Sequence, residues 1–291
     1  MELVDLIGKT PMIEVDGVYL KLEYLNPSGS HKDRIALYML RDAQEKGLKR
    51  GDYVVEYTSG NTGIAITWIS RILGFKPVIV VPESISPQKI SIIKLLGGEV
   101  RTISGDENGE KYAQELANEL GGIYLAQSKN LANFQAHYET TAPEILSQAE
   151  DVECFVMGVG TGGTLYGVGK YLKERKGVKN FMLVPRGSVL QQELMGKKEE
   201  DEEILEGFSY HSFDDLIKKT IEEKIADELR VVSAEQAKEG MRMLFELGIP
   251  AGATAGANYY YARKIREERG CKIVTLIPDL IYKYPKIMEE L

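Results

Sequence analysis

Apolar and polar positions in this chain fall into two alternating kinds of block. Short strand-like runs lie at 18–22, 53–56, 77–81, 99–103, 123–126, 154–159, 181–184 and 272–277, and the continuous apolar run at 77–81 is the mark of a strand buried on both faces. Between them lie longer segments with apolar positions three and four apart, the helical period. The punctuation agrees with this pattern. Gly74 closes a helix over 64–73, Ser86 and Pro87 open a helix that Gly97 ends, and Gly121 stops a helix over 111–120. Helices are also predicted over most of 138–149, over 163–176, and over 258–269 up to Gly270. Ser233-Ala234-Glu235-Gln236 forms a capping box for a helix running to Leu247.

Strands that alternate with helices imply βαβ units, parallel sheets and right-handed crossovers. The strands outnumber what one sheet needs. The expected fold is therefore α/β, with two domains that each carry a mostly parallel twisted sheet flanked by helices. The expected division sets a smaller domain, 36–145, against a larger one built from 1–35 and 146–291.

Composition narrows the class. The chain has 291 residues, 43% of them hydrophobic, enough for two cores. A formal charge of -8 argues against nucleic acid and anionic membrane as partners. No apolar run approaches the roughly 18 residues of a membrane span, and the N-terminus has neither a basic start nor an apolar signal core, so a cytoplasmic protein is expected. Cys154 and Cys271 each open an apolar run and read as inert core thiols, with no disulfide expected between them. His31, His137 and His211 show no metal-ligand spacing, and no metal is expected. The acidic run at 197–203 reads as a solvated loop.

Candidate chemistry begins at Lys32. It follows a Pro/Gly/Ser turn and opens a stretch in which Ile35, Met39 and Ala43 recur at spacing four. The positive end of a helix dipole disfavours a cation there, and partial burial would favour the neutral amine that a Schiff base requires. Taken alone, a surface lysine in a turn is the commoner situation. Three glycine-containing loops change that balance. Thr58, Ser59, Asn61 and Thr62, set between strand and helix signals, offer many donors to an anion at the carboxyl end of a strand. Gly158, Gly160, Thr161, Gly162, Gly163 and Thr164 also join a strand to a helix and suit a phosphate. No carboxylate follows at the dinucleotide position and no Gly-Lys-Ser/Thr ending is present, so a single-phosphate cofactor fits best. The third loop, 252–257, suits either a ligand ring or tight packing. A reactive lysine, a phosphate cup and an anion loop together point to pyridoxal 5'-phosphate and an amino-acid substrate.

With these residues, and with Ile7-Gly8-Lys9-Thr10-Pro11, Gln127 and His137-Tyr138-Glu139-Thr140-Thr141-Ala142-Pro143-Glu144-Ile145, the chain resembles the cysteine synthase (O-acetylserine sulfhydrylase) and cystathionine β-synthase branch of the tryptophan-synthase-β-like, fold type II pyridoxal-phosphate enzymes. The resemblance implies that Lys32 forms the Schiff base and Asn61 bonds the cofactor's ring oxygen. Gly160, Thr161, Gly162, Gly163 and Thr164 would hold its phosphate, and Thr254 would face the pyridine nitrogen. Thr58, Ser59, Thr62 and Gln127 would grip the substrate carboxylate, pulling the smaller, mobile domain shut. The implied reaction is β-replacement on O-acetylserine or O-phosphoserine with sulfide to give L-cysteine, in a homodimer. The alternatives are a cystathionine β-synthase-like or serine-using β-lyase without regulatory domains and, more remotely, a catalytically silent cofactor-binding partner protein.

The chain departs from that family in places. Ser128 stands where a phenylalanine is usual. The 191–213 segment has Glu206-Gly207-Phe208 in place of a glycine-rich run, and residues 279–284 read Asp-Leu-Ile-Tyr-Lys-Tyr. Arg186, after a strand, reads either as a surface arginine or as a partner for a phosphoester.

Overall fold

Ten strands lie among the described residues of the computed structural model, which are 2–104, 108–196 and 213–291, and they form two separate sheets. The acidic run at 197–203, His211 and the altered residues 206–208 lie outside the described residues. The chain divides into two compact units: the stretch to Ile7 with Asn26–Asn133, and Gly8–Leu25 with Phe134–Leu291.

The strands in chain order are β1 (Met12–Val15), β2 (Val18–Lys21), β3 (Tyr53–Tyr57), β4 (Lys76–Pro82), β5 (Glu99–Ile103), β6 (Ile123–Tyr124), β7 (Cys154–Gly158), β8 (Lys179–Pro185), β9 (Glu228–Val232) and β10 (Ile273–Leu276). The smaller unit holds a four-stranded parallel sheet in the order β5-β4-β3-β6. Its centre is the run Val78, Ile79, Val80 and Val81, all buried, as expected of a strand covered on both faces. One face packs Val55, Val78 and Val80 against Ala113, Leu116 and Ala117 of the Gly109–Glu119 helix.

The larger unit holds six strands in the order β1-β2-β10-β7-β8-β9, parallel except for the β1–β2 hairpin. One face of its sheet is covered by the helices Ala234–Glu246 and Ala253–Arg269. Those two helices meet through glycine. A Cβ on Gly256 would collide with the Ala237 carbonyl, and one on Gly240 with the Gly256 carbonyl. The capping box at Ser233 is present, and its hydroxyl accepts the Gln236 amide at 3.2 Å.

The structure corrects two expectations in this unit. The Ala253–Arg269 helix begins five residues before the predicted start, because small residues with one N-terminal Gly tolerate helix as well as loop, so the third loop is mostly the first turn of a helix. Cys154 and Cys271 are joined in a disulfide. Cys154 pairs with Ile273 across the β7–β10 ladder, and Cys271 lies two residues before that partner, so their side chains meet across adjacent strands. The apolar runs gave no sign that β7 and β10 are neighbours.

Candidate active site

In the smaller unit, Lys32 is the first residue of the Lys32–Glu45 helix and is half-buried. The turn before it is fixed from both sides. Gly29, at φ 83°, donates its amide to the Asn26 carbonyl at 2.8 Å. Asp33 accepts the Ser28 amide at 2.8 Å and the Ser28 hydroxyl as well. A carboxylate in the first helical turn is favoured by the dipole that disfavours Lys32. The turn therefore holds an amine at a helix N-terminus through a neighbour that belongs there.

The polar loop after β3 is the first turn of the Asn61–Leu73 helix, whose N-cap is Gly60 at φ 139°. No side chain caps this helix, so its leading amides face the loop. Gly63 lets the helix settle on the sheet, since a Cβ there would lie 2.7 Å from Ile79 and 2.9 Å from Thr58. Thr58 and Thr62 are buried, and Ser59 is exposed. The structure brings Thr62 and Gln127 together: the Thr62 hydroxyl donates to Gln127 Oε1 at 2.7 Å. Gln127 Nε2 gives one of its two protons to the Tyr57 carbonyl at 3.0 Å, leaving the other for an incoming oxygen. Ser128 beside it donates its hydroxyl to Glu110, which also pairs with Lys129 at 2.6 Å. The pocket wall expected of an aromatic residue is thus polar here.

Two residues of this unit escaped the sequence reading. Glu56, in β3, is fully buried, and its carboxyl is held well above the usual carboxylate range, chiefly by burial. Its one sequence signal is an acid inside an otherwise apolar strand. Lys89 is also buried, its stem lying against Gly60 and its amine 3.5 Å from the Ser59 carbonyl.

In the larger unit, the loop after β7 runs through Gly160, Thr161, Gly162 and Gly163 into the Gly163–Lys176 helix. Gly162 has φ 88°, and a Cβ there would lie 2.8 Å from Ile217 Cγ1 and 2.9 Å from its amide nitrogen. Only glycine satisfies both demands. Thr161 and Thr164 are buried. The strand end is anchored by Asn258, whose Oδ1 accepts the Gly158 amide at 2.7 Å while its Nδ2 donates to the Leu276 carbonyl at 2.9 Å. Thr164 Oγ1 lies 3.2 Å from Nε2 of buried His137, a residue to which the sequence assigned no role of its own. Backbone amides at a helix start and two hydroxyls make a donor set that fits a phosphate monoester.

Thr254 lies in the first turn of the Ala253–Arg269 helix. Its N-cap Gly252 donates to the Asp279 carbonyl at 3.2 Å, and Tyr284 donates its hydroxyl to the Asp279 carboxylate. The unusual 279–284 segment therefore buttresses the turn that carries Thr254. Arg186 is exposed at the end of β8.

The chain is similar to known proteins over nearly its whole length. A family model described as "Pyridoxal-phosphate dependent enzyme" matches residues 3–279. Cysteine synthase 1 of Neurospora crassa is 38% identical over 307 aligned positions, spanning 97% of this chain and 81% of that protein. The crystal structure of O-ureido-L-serine synthase superposes with a TM-score of 0.88 at 33% identity, covering 97% of this chain and 92% of that one. An O-acetylserine dependent cystathionine beta-synthase from Helicobacter pylori superposes with a TM-score of 0.89 at 29% identity, covering 98% of this chain and 97% of that one. Sheet order, glycine loop and lysine turn thus sit within a match that runs almost the whole length of the sequence, and the chain belongs to the pyridoxal-phosphate dependent enzyme family.

Proposed function

We propose that this enzyme makes L-cysteine by β-replacement, exchanging the activated hydroxyl of an O-substituted L-serine for sulfide. The observation that carries the reading is the Thr62–Gln127 pair at the start of the Asn61–Leu73 helix. Hydroxyl, amide and helix-end donors in one place form a grip for an α-carboxylate.

Pyridoxal phosphate, when bound, supplies an electron-withdrawing ring that makes the Cα–H bond acidic. Gly160, Thr161, Gly162, Gly163 and Thr164 would hold its phosphate, Asn61 would bond its ring oxygen, and Thr254 would offer a hydroxyl to its ring nitrogen. Lys32 Nζ anchors the cofactor, then takes the proton from Cα so that the oxygen substituent on Cβ can leave. After sulfur adds at Cβ, the same amine returns the proton to Cα. Thr58, Ser59, Thr62 and Gln127 fix the carboxylate and so orient the Cα–H bond toward Lys32. A cytoplasmic homodimer is the assembly that the family resemblance supports.

A second reading has its own observation. Ser128 and Glu110 replace an aromatic wall by a polar one, which suits a nucleophile longer than sulfide, as in cystathionine synthesis. The test is to supply O-acetylserine, O-phosphoserine and L-serine in turn, each with sulfide or homocysteine, and quantify the product. Cysteine from an O-substituted serine supports the first reading; cystathionine as the main product supports the second.

A further inference from the structure

Gln127 stands at an unusual place in the backbone. β6 ends at Tyr124, and Leu125 continues its pairing to the Val55 carbonyl at 3.0 Å. Ala126 then takes φ 54°, the left-handed region that side chains with a Cβ avoid. Gln127 emerges from this turn with its backbone carbonyl, its backbone amide and both ends of its side-chain amide held, one Nε2 proton remaining for a ligand. Its carbonyl accepts from Asn133 Nδ2 at 2.8 Å, Oε1 accepts from Thr62, and Nε2 donates to the Tyr57 carbonyl. The remaining group, its backbone amide, donates to Glu56 Oε2 at 3.3 Å.

Glu56 therefore holds the strained turn from beneath, through the Gln127 amide. It is fully buried, and its second oxygen, Oε1, has no hydrogen-bond partner. Burying a carboxyl with one oxygen unmatched is costly, and a strand as apolar as Tyr-Val-Val-Glu-Tyr has no packing need for it. A hydrophobic residue would serve the sheet as well. What it would not do is accept the Gln127 amide.

We propose that Glu56 is the positioning residue of the substrate-carboxylate grip: it anchors the left-handed turn at Ala126 and thereby presents Gln127 to Thr62. The inference rests on the reading of Thr62 and Gln127 as carboxylate ligands given above. Glu56 touches neither substrate nor reacting atoms; it acts through Gln127.

The test uses the holoenzyme titrated with L-serine, with binding read from the cofactor's visible absorbance. Thr62→Ala and Gln127→Ala are each expected to weaken binding about tenfold, the loss of one charge-assisted hydrogen bond. Glu56→Leu is expected to do the same with cofactor content unchanged. Glu56→Gln, whose amide oxygen accepts the same N–H, is expected to bind within about twofold of wild type, a difference smaller than one neutral hydrogen bond. The double variant Glu56→Leu/Gln127→Ala is expected to bind no more weakly than Gln127→Ala alone. If Thr62→Ala and Gln127→Ala bind serine normally, the carboxylate reading fails. If they weaken binding while Glu56→Leu does not, or if Glu56→Leu and Gln127→Ala add fully, the positioning role alone is overturned. Should Glu56→Leu fail to fold, Glu56→Asp, which withdraws the carboxyl by one methylene, decides in the same way: weaker serine binding supports the role, and wild-type binding overturns it.

Discussion

His137 Nε2 lies 3.2 Å from Thr164 Oγ1, and its Nδ1 lies 2.9 Å from Thr141 Oγ1. The ring is buried and sits on a π-helical turn, His137–Thr141, a rare distortion that recurs at functional places. A neutral imidazole donates from one nitrogen and accepts at the other, so it orients both threonine hydroxyls at once. His137→Leu is expected to leave the Thr164 hydroxyl unoriented and to weaken pyridoxal phosphate binding to the apoenzyme about tenfold, the usual cost of a lost buried hydrogen bond. Reconstitution followed by absorbance measures this. Unchanged affinity would show that His137 serves packing only.

Gly162 is a position where the loop after β7 tolerates no side chain. Gly162→Ala places a Cβ against Ile217 and forces a residue with a Cβ to φ 88°. The left-handed conformation alone costs about 1–2 kcal/mol. The expected result is a lower melting temperature and a purified protein that retains little cofactor. Full cofactor content in this variant would mean that the loop does not hold the phosphate.

The Cys154–Cys271 bridge closes a loop of 117 residues. Chain-entropy reasoning for a loop of that size gives about 4–5 kcal/mol of stabilisation. Urea unfolding of Cys154→Ser/Cys271→Ser, compared with wild type in the absence of reductant, is expected to show a loss of that order. A loss that reductant in the wild-type sample does not reproduce would place the effect in packing instead of the bond.

Glu56 also shapes how stability depends on pH. Burial, reinforced by the nearby Glu110 charge, raises its folded-state carboxyl above the unfolded value, while the amides of Gln127, Tyr57 and Ala126 pull the other way. The folded protein then holds a proton that the unfolded chain has lost, so this group lowers stability progressively as pH rises above its unfolded value of about 4.3. Glu56→Gln removes the titration. Its stability relative to wild type is expected to grow between mildly acidic and neutral pH, as read by chemical unfolding across that range. A gap that stays constant with pH would show that Glu56 is ionised in the folded state.

Much of this was legible in the residues. The β4 run and the glycine stops at Gly74 and Gly270 predict their elements because burial on both faces and left-handed C-caps leave strong local marks. The glycine loop after β7 was readable as a strand-to-helix connection because glycine clustered there has few structural uses. β9, at the edge of its sheet, is half-exposed along most of its length and carries no comparable run. The disulfide depends on β7 and β10 lying side by side, a matter of topology that neither cysteine's neighbours record. Glu56, His137 and Asn258 act through contacts far along the chain, so their types alone could not assign them.

The most direct measurement concerns Lys32. Borohydride reduction of the holoenzyme, followed by proteolysis and mass spectrometry, should place the reduced cofactor on the Lys32 peptide. Lys32→Ala should lose that label, and its turnover of O-acetylserine with sulfide should fall by about 10²–10⁴, the range for a lost general base. A label on another lysine, or a Lys32→Ala enzyme that turns over normally, would contradict the assignment.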